Sequence, residues 1–172
     1  IIPYICHVPS LYYLKLANTI KIMKTLAIII TVYNRKNKTL QCLRNIKEQY
    51  IQTGNNIIVD IYLTNDGCTD GTPEAILENY PDVNVIEGDG SLFWNRGMYV
   101  AWQEAAKQNY DFYLWLNDDT NLKIDALERL LLCSISKEEK AIVIGSCCSS
   151  MNDKTITYGG YSKEGKLITN VE

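Results

Sequence analysis

Two adjacent carboxylates, Asp118 and Asp119, are the side chains in this sequence whose type and position best fit chemistry on a charged ligand. They follow the apolar run FYLWL at 112–116, so they stand at the end of a predicted strand. Neighbouring carboxylates repel each other unless a positive or hydrogen-bonding group lies between them. A divalent cation on a substrate phosphate would supply that charge, because Mg²⁺ and Mn²⁺ favour carboxylate and phosphate oxygens. The alternative is a solvated turn and helix cap.

Three further side chains could meet a nucleotide. Tyr33 follows the apolar run LAIIITV and could stack on a base. Asp66, in the turn TNDGCTDGT, could accept hydrogen bonds from a base or a ribose. Arg96 follows a Gly-rich loop at a predicted helix start, where backbone donors and a guanidinium could together bind a diphosphate. The alternatives are an ordinary turn around Asp66 and a surface arginine; Trp94 could line a sugar pocket or anchor its loop.

Composition excludes several other functions. His7 is the only histidine, which argues against a Ser-His-Asp or Cys-His nucleophile and against a zinc site. A net charge of -3 argues against a nucleic-acid partner. The six cysteines form no C-x-x-C pair, so we expect reduced thiols in a cytoplasmic protein. Such a protein could also work at the inner face of a membrane.

The elements that would position these side chains alternate along the chain. Apolar runs of strand length occupy 26–32, 57–63, 83–86, 112–116 and 141–144, and helical patterns lie between them. The run IIVDIYL is almost continuously apolar, which is typical of a strand buried on both faces of a parallel sheet. The sequence therefore predicts a three-layer α/β fold with a mainly parallel central sheet.

Three polar clusters follow these strands, at 31–33, 64–66 and 117–119. Parallel strands end at one edge of a sheet, and ligands of open α/β sheets bind beyond that edge. We therefore expect the three clusters to converge on one ligand.

Residues 1–22 differ from the rest of the chain. They contain two prolines, no cationic stretch and no long apolar run, so they fit neither a signal peptide nor a membrane span. Met23 opens MKTLAIIITVYNR, which reads like a natural start. We expect an extension over 1–22 and one folded domain over 23–172.

Four motifs together resemble the family 2 glycosyltransferases: TVYNR at 31–35, NDGCTDGT at 65–72, GDGSLFWNRGM at 88–98 and LNDDT at 116–120. The resemblance covers about Met23 to Ile144 and implies the nucleotide-sugar-binding half of a GT-A (Rossmann-like) fold, truncated at the C-terminus with an incomplete acceptor half. It also implies inverting transfer from a nucleotide-diphosphate sugar to an acceptor.

The resemblance also implies roles for individual residues. Asp118 and Asp119 match the family's DXD motif, in which the first carboxylate approaches the ribose and the second binds Mn²⁺ or Mg²⁺. Asn117 stands where many relatives have another Asp. The other implied contacts are Thr31 and Tyr33 with the base, with Tyr33 stacking on it, Asp66 with the base, and Arg96 near the diphosphate.

The acceptor side is less defined. The implied acceptor is a saccharide or a lipid-linked saccharide, and a weaker resemblance to bacterial rhamnosyltransferase-like proteins suggests surface polysaccharide synthesis. Asp153 and Glu164 lack the context of the family's general base, so the base, like the oligomeric state, stays unassigned. The alternatives are a non-catalytic nucleotide-sugar-binding fragment and a sugar nucleotidyltransferase. The latter is disfavoured because TVYNRKNK lacks the expected glycines.

Overall fold

The computed structural model describes residues 4–5, 24–52, 57–136, 142–149, 155–158 and 165–166. They fall into two compact units, one of Ile22–Leu122 and one of Ile1–Lys21 with Lys123–Glu172. The elements in chain order are β1 (Tyr4–Ile5), β2 (Lys24–Val32), α1 (Lys36–Gln52), β3 (Ile57–Asn65), α2 (Thr72–Asn79), β4 (Asn84–Glu87), α3 (Phe93–Ala105), β5 (Phe112–Trp115), α4 (Ala126–Ser136), β6 (Val143–Ile144), β7 (Cys147–Cys148) and β8 (Ile156–Tyr158).

The unit of Ile22–Leu122 is built on a four-stranded sheet in the order β4-β3-β2-β5, with every pair parallel. β2 lies in the middle, and its residues 26–32 are all buried. Continuous burial explains why this strand carries β-branched and apolar residues without alternation. The predicted parallel sheet is confirmed.

Helix α3 covers one face of this sheet. It buries Met98, Ala101 and Ala105 in a cluster with Ala27 and Ile29 of β2. Trp102 shares the apolar spacing of these residues, but its ring is 39% exposed. A short 3₁₀ turn, Ala106–Gln108, ends the helix before the chain enters β5.

Helices α1 and α2 pack against each other and bury Leu43, Ile46 and Ile76. Side chains alternate along a strand, so Ile28 and Ile30 of β2 point away from α3. Both are buried as well, which requires cover on this second face. The unit therefore has the three layers that the sequence predicts, with helices on both sides of the sheet.

The order of the strands reverses between β2 and β5. From β2 the chain adds β3 and then β4 on one side, and it crosses to the other side to form β5. The reversal leaves a crevice at the carboxyl ends of β2 and β5, which is the usual ligand position in open α/β sheets.

In the other unit, β1 pairs with β6 in parallel, and β7 pairs with β8 antiparallel. Helix α4 buries Leu127, Leu131 and Leu132. Ile124 precedes this helix and is 65% exposed. The expected start at Met23 lies outside the described residues, so the boundary over 1–22 stays a prediction.

The cysteines depart in part from the expectation of reduced thiols. Cys42, Cys68, Cys147 and Cys148 are free. Cys133, which is buried in α4, is disulfide-bonded. Sequence spacing could not show this bond, because a disulfide depends on which cysteines the fold brings within bonding distance.

Within the described residues, no helix combines the length and the apolar character needed to cross a bilayer.

Candidate functional site

The loops that follow β2 and β3 are held together by side chain to backbone hydrogen bonds. Asn34 Oδ1 accepts the Thr69 N–H at 2.7 Å, and Asp70 Oδ2 accepts the Lys36 N–H at 2.9 Å. Asn34 has a φ of 50°, a left-handed conformation that Asn tolerates better than most residues. The motifs TVYNR and NDGCTDGT are therefore one joined structure at the rim of the sheet.

Asp66 holds the next loop in place. Its carboxylate is 4% exposed and accepts the N–H groups of Gly90 at 2.9 Å, Leu92 at 3.2 Å and Phe93 at 2.8 Å. Gly67 has a φ of +74°, and a Cβ there would lie 2.9 Å from the Gly90 Cα. Asp66 and this glycine contact thus bring the loop 88–92 against the end of β3.

The start of α3 approaches β2 closely at Gly97. A Cβ at this position would lie 2.2 Å from the Thr31 Oγ1. The Thr64 hydroxyl donates to the Gly97 carbonyl at 2.9 Å. Thr31 is therefore buried under the helix start, at 9% exposure, with its side chain against Gly97.

Arg35 spans the crevice between the ends of β2 and β5. Its Nη1 donates to Asp118 Oδ1 at 3.2 Å and to Asp119 Oδ2 at 3.1 Å. The Asp118 side chain is 7% exposed, and that of Asp119 is 38% exposed. Burial raises the pKa of Asp118 above its ordinary value, although the nearby Arg35 charge acts in the opposite direction. The two carboxylates therefore share one cation.

Two side chains of helix α1 form hydrogen bonds with the acidic strand end. The Thr39 hydroxyl donates to Asp118 Oδ2 at 3.4 Å, and the Cys42 thiol donates to the Asn117 carbonyl at 3.6 Å. Burial, followed by the charge of Asp118, raises the pKa of the Cys42 thiol to about 12. This thiol is therefore neutral and serves packing rather than nucleophilic chemistry.

Asn117 connects the acidic strand end to α3. Its Oδ1 accepts the Trp94 indole N–H at 2.9 Å. The Trp94 ring also meets the Trp115 ring edge to face, with 6.1 Å between centroids. The hydrogen bond agrees with the interpretation of Trp94 as an anchor of its loop, and it gives the amide of Asn117 a structural role.

Tyr33 and Arg96 lie on the outer part of this rim. Tyr33 is 58% exposed, so its ring is accessible to a ligand. Arg96 is exposed and donates from Nη2 to the Ser91 carbonyl of the loop 88–92. The Arg96 guanidinium therefore contacts the loop 88–92, whose position Asp66 fixes.

Comparison with known proteins gives the family. The model of the family described as "Glycosyl transferase family 2" matches residues 27–165, which is most of the chain and includes all four motifs. This chain belongs to glycosyl transferase family 2. The family that the motifs resembled is confirmed, and the parallel, helix-covered sheet is the Rossmann-like architecture that the resemblance implied.

One solved structure similar to this glycosyltransferase domain is the mannosyltransferase PcManGT from Pyrobaculum calidifontis in complex with GDP-Man and Mn²⁺. The identity is 20% and the TM-score is 0.48, with 72% of this chain covered. The match covers 39% of that chain. None of the curated proteins compared with this glycosyltransferase domain matches it.

Asp118 and Asp119 can supply only some of the ligands that a divalent cation needs. Within the described residues, no group of three or more His, Cys, Asp or Glu side chains is placed to hold a metal ion. Mg²⁺ is commonly held by one or two carboxylates together with substrate phosphates and water. Asp118 and Asp119 fit that arrangement, in which most oxygen ligands come from the substrate and from water.

Several residues that build the site of this glycosyltransferase domain are not predicted as site residues from its sequence. Asn34 and Arg35 lie within TVYNR, and Asp70 and Gly97 lie within two other motifs. Asp70 had a signal, because an Asp side chain in a turn often accepts the N–H of the residue two positions later, and it does accept the Thr72 N–H at 3.1 Å. Thr72 is the first residue of α2. Asp153 and Glu164 lie outside the described residues.

Proposed function

We propose that this domain transfers a sugar, with inversion, from a nucleotide-diphosphate sugar to an acceptor hydroxyl, and that Mn²⁺ or Mg²⁺ assists the transfer. The proposed acceptor is a saccharide or a lipid-linked saccharide, at the cytoplasmic side of a membrane. The resemblance of the GDGSLFWNRGM loop and the LNDDT strand end to rhamnosyltransferase-like proteins supports a role in bacterial surface polysaccharide synthesis.

The observation that carries the proposal is the position of the acidic pair. Asp118 and Asp119 face Arg35 across the point where the strand order reverses, next to the loop that carries Tyr33. A donor lying there would have its base near Tyr33 and its diphosphate near the carboxylates. A divalent cation in that place neutralises the charge that develops on the leaving nucleoside diphosphate.

The base would lie on the loops after β2 and β3. The exposed ring of Tyr33 offers a stacking surface. A carboxylate has about four lone-pair sites, and the three backbone N–H groups bonded to Asp66 leave about one for a base N–H. We propose that Asp66 both positions the loop and contacts the base. We also propose that Thr31, whose side chain lies against Gly97, contacts the base with the small part of its surface that is exposed.

The diphosphate and ribose would lie nearer β5. Arg96, on the loop that Asp66 holds, supplies a positive charge for the phosphates. We assign the ribose to Asp118, which Thr39 and Arg35 orient, and the metal to the more exposed Asp119.

A thermal-shift screen tests the donor class. UDP-, dTDP- and GDP-sugars are compared with and without Mn²⁺, since a ligand that binds the native state raises the melting temperature. We expect one base to stabilise the protein, and to do so more strongly with Mn²⁺. The absence of any shift with all three bases would contradict the proposed donor site.

The role of Asp119 is tested by calorimetry on Asp119→Ala with the nucleoside diphosphate that the screen identifies. We expect the Mn²⁺-dependent part of the binding to be lost, because the carboxylate assigned to the metal is removed. Glu78→Ala, which removes an exposed carboxylate from α2, is the matched control and should bind like the wild type. Equal Mn²⁺-dependent binding by the Asp119 variant would refute the assignment.

A further inference from the structure

The guanidinium of Arg35 lies where a cation would bind to the acidic pair. One nitrogen, Nη1, is within 3.2 Å of Asp118 and 3.1 Å of Asp119. Lys38 also faces Asp119, but its Nζ is 3.9 Å from the carboxylate, and among the described residues it makes no ion pair with a second acid. Arg35 is therefore the bridging cation of this pair, and Lys38 is a neighbouring charge.

We propose that Arg35 is an exchangeable counter-ion, which holds Asp118 and Asp119 together before the donor binds and then yields these carboxylates to the divalent cation. This inference rests on the proposed function, since it concerns the same pair of carboxylates. It adds Arg35, a residue of the chain itself, as a competitor of the metal for these carboxylates.

The physical reason is that two adjacent carboxylates, one of them buried, repel each other and need a positive or hydrogen-bonding neighbour. Arg35 meets that need without a ligand and is half exposed, at 49%, so it can swing away without breaking a packed core. A guanidinium released from the carboxylates pairs well with a diphosphate. Mn²⁺ alone must then displace Arg35, whereas Mn²⁺ with a nucleoside diphosphate offers Arg35 a new anionic partner.

The test measures Mn²⁺ binding to the metal-free protein by electron paramagnetic resonance, alone and with UDP, dTDP or GDP in turn. We expect Arg35→Gln to bind Mn²⁺ alone at least about five-fold more tightly than the wild type, because a coupled competitor is removed. We also expect the nucleoside diphosphate that binds to enhance Mn²⁺ binding less in this variant than in the wild type. A purely structural role for Arg35 would not produce this opposite pair of changes.

Lys38→Gln is the matched control, because it removes the same charge beside Asp119 and leaves the bridge intact. We expect its affinity for Mn²⁺ alone to stay within about two-fold of the wild type, as for an exposed charge in water. An equal gain in both variants would mean that net charge, not the bridge, sets the affinity, and would overturn the proposal.

Arg35→Lys covers the case in which Arg35→Gln does not fold. A compact, strongly hydrated ammonium reaches less far than a guanidinium and should bridge less well, so the affinity of this variant for Mn²⁺ alone should exceed that of the wild type. If the wild type binds Mn²⁺ with one of the three nucleoside diphosphates while both Arg35 variants bind Mn²⁺ as the wild type does, this inference fails alone. If the wild type binds Mn²⁺ with none of the three, and Asp119→Ala changes nothing, the proposed function fails with it.

Discussion

At the scale of single residues, the rim of the sheet depends on carboxylates that bind backbone N–H groups. Asp66 accepts three of them from the loop 88–92 and the start of α3, and it is almost fully buried. A buried charge is tolerated when hydrogen bonds replace its lost water. The same residue is therefore needed for the shape of the loop that carries Arg96, whatever it also contributes to base binding.

Asp66→Asn should lower the free energy of unfolding by about 1–3 kcal/mol, because an amide offers one acceptor oxygen and leaves a buried N–H without a partner. Urea denaturation followed by circular dichroism measures the loss. Glu78→Gln, a neutralised carboxylate on the exposed face of α2, should leave the curve unchanged. A wild-type stability in the Asp66 variant would mean that the loop does not depend on these bonds.

At the scale of elements, the placement of α3 depends on a close approach rather than on apolar packing alone. Gly97 lets the helix start lie on Thr31, and Phe93 begins the helix with a φ of 54°. A left-handed conformation is unfavourable for a bulky residue, and Asp66 holds it by accepting the Phe93 N–H at 2.8 Å. The first turn of α3 is thus held by contacts from both β2 and β3.

Gly97→Ala should destabilise the unit by about 1–3 kcal/mol, because the added Cβ overpacks against Thr31. The double variant Gly97→Ala/Thr31→Ala should recover part of this loss, since it removes the closest atom, the Thr31 Oγ1. A double-mutant cycle from urea denaturation measures the coupling. Asn95→Ala, on an exposed position of the same helix, is the control. Strictly additive effects of the two substitutions would show that the contact is not made.

At the scale of the whole unit, ionised carboxylates also hold the backbone and side chains of the fold in place, in part between distant segments. Asp111, before β5, accepts the Thr25 N–H of β2 at 2.8 Å, and this bond is the main reason that its pKa is lowered. The pKa of Asp82 is lowered chiefly by its hydrogen bond with Lys47 of α1, and that of Asp70 chiefly by the Thr72 hydroxyl. All three groups therefore favour the folded state while they are ionised.

The sign of the pH dependence follows from these lowered pKa values. Each contribution is complete above the unfolded pKa of about 4 and is lost as the pH falls through the lower folded value. Asp111→Asn should therefore be less stable than the wild type at pH 7, and the difference should shrink as the pH falls below about 4. Urea denaturation at pH 7, 5 and 3 measures both curves. A difference that stays constant down to pH 3 would contradict the role of the ionised carboxylate.

The sequence by itself determined the α/β architecture and the edge of the sheet at which the polar clusters lie. Short, almost continuously apolar runs are typical of strands covered on both faces, so β2 and β3 could be predicted as members of a parallel sheet before any coordinates. Because parallel strands end at one edge, the positions of Tyr33, Asp66 and Asp118 along the chain already indicated one site, and four motifs in order indicated the family.

Only the tertiary structure decided what each polar side chain touches. Asp66 lies among backbone N–H groups, Asn117 accepts the Trp94 indole N–H, and Arg35 bridges two acids that follow it by more than 80 residues. None of these partners is near in sequence, and none follows from residue type. The apolar periodicity of a sequence shows which face of a helix or strand is buried, because the local backbone sets the direction of successive side chains. Hydrogen-bond and ion-pair partners depend instead on where separate loops meet, which is decided only when the sheet and its helices have packed.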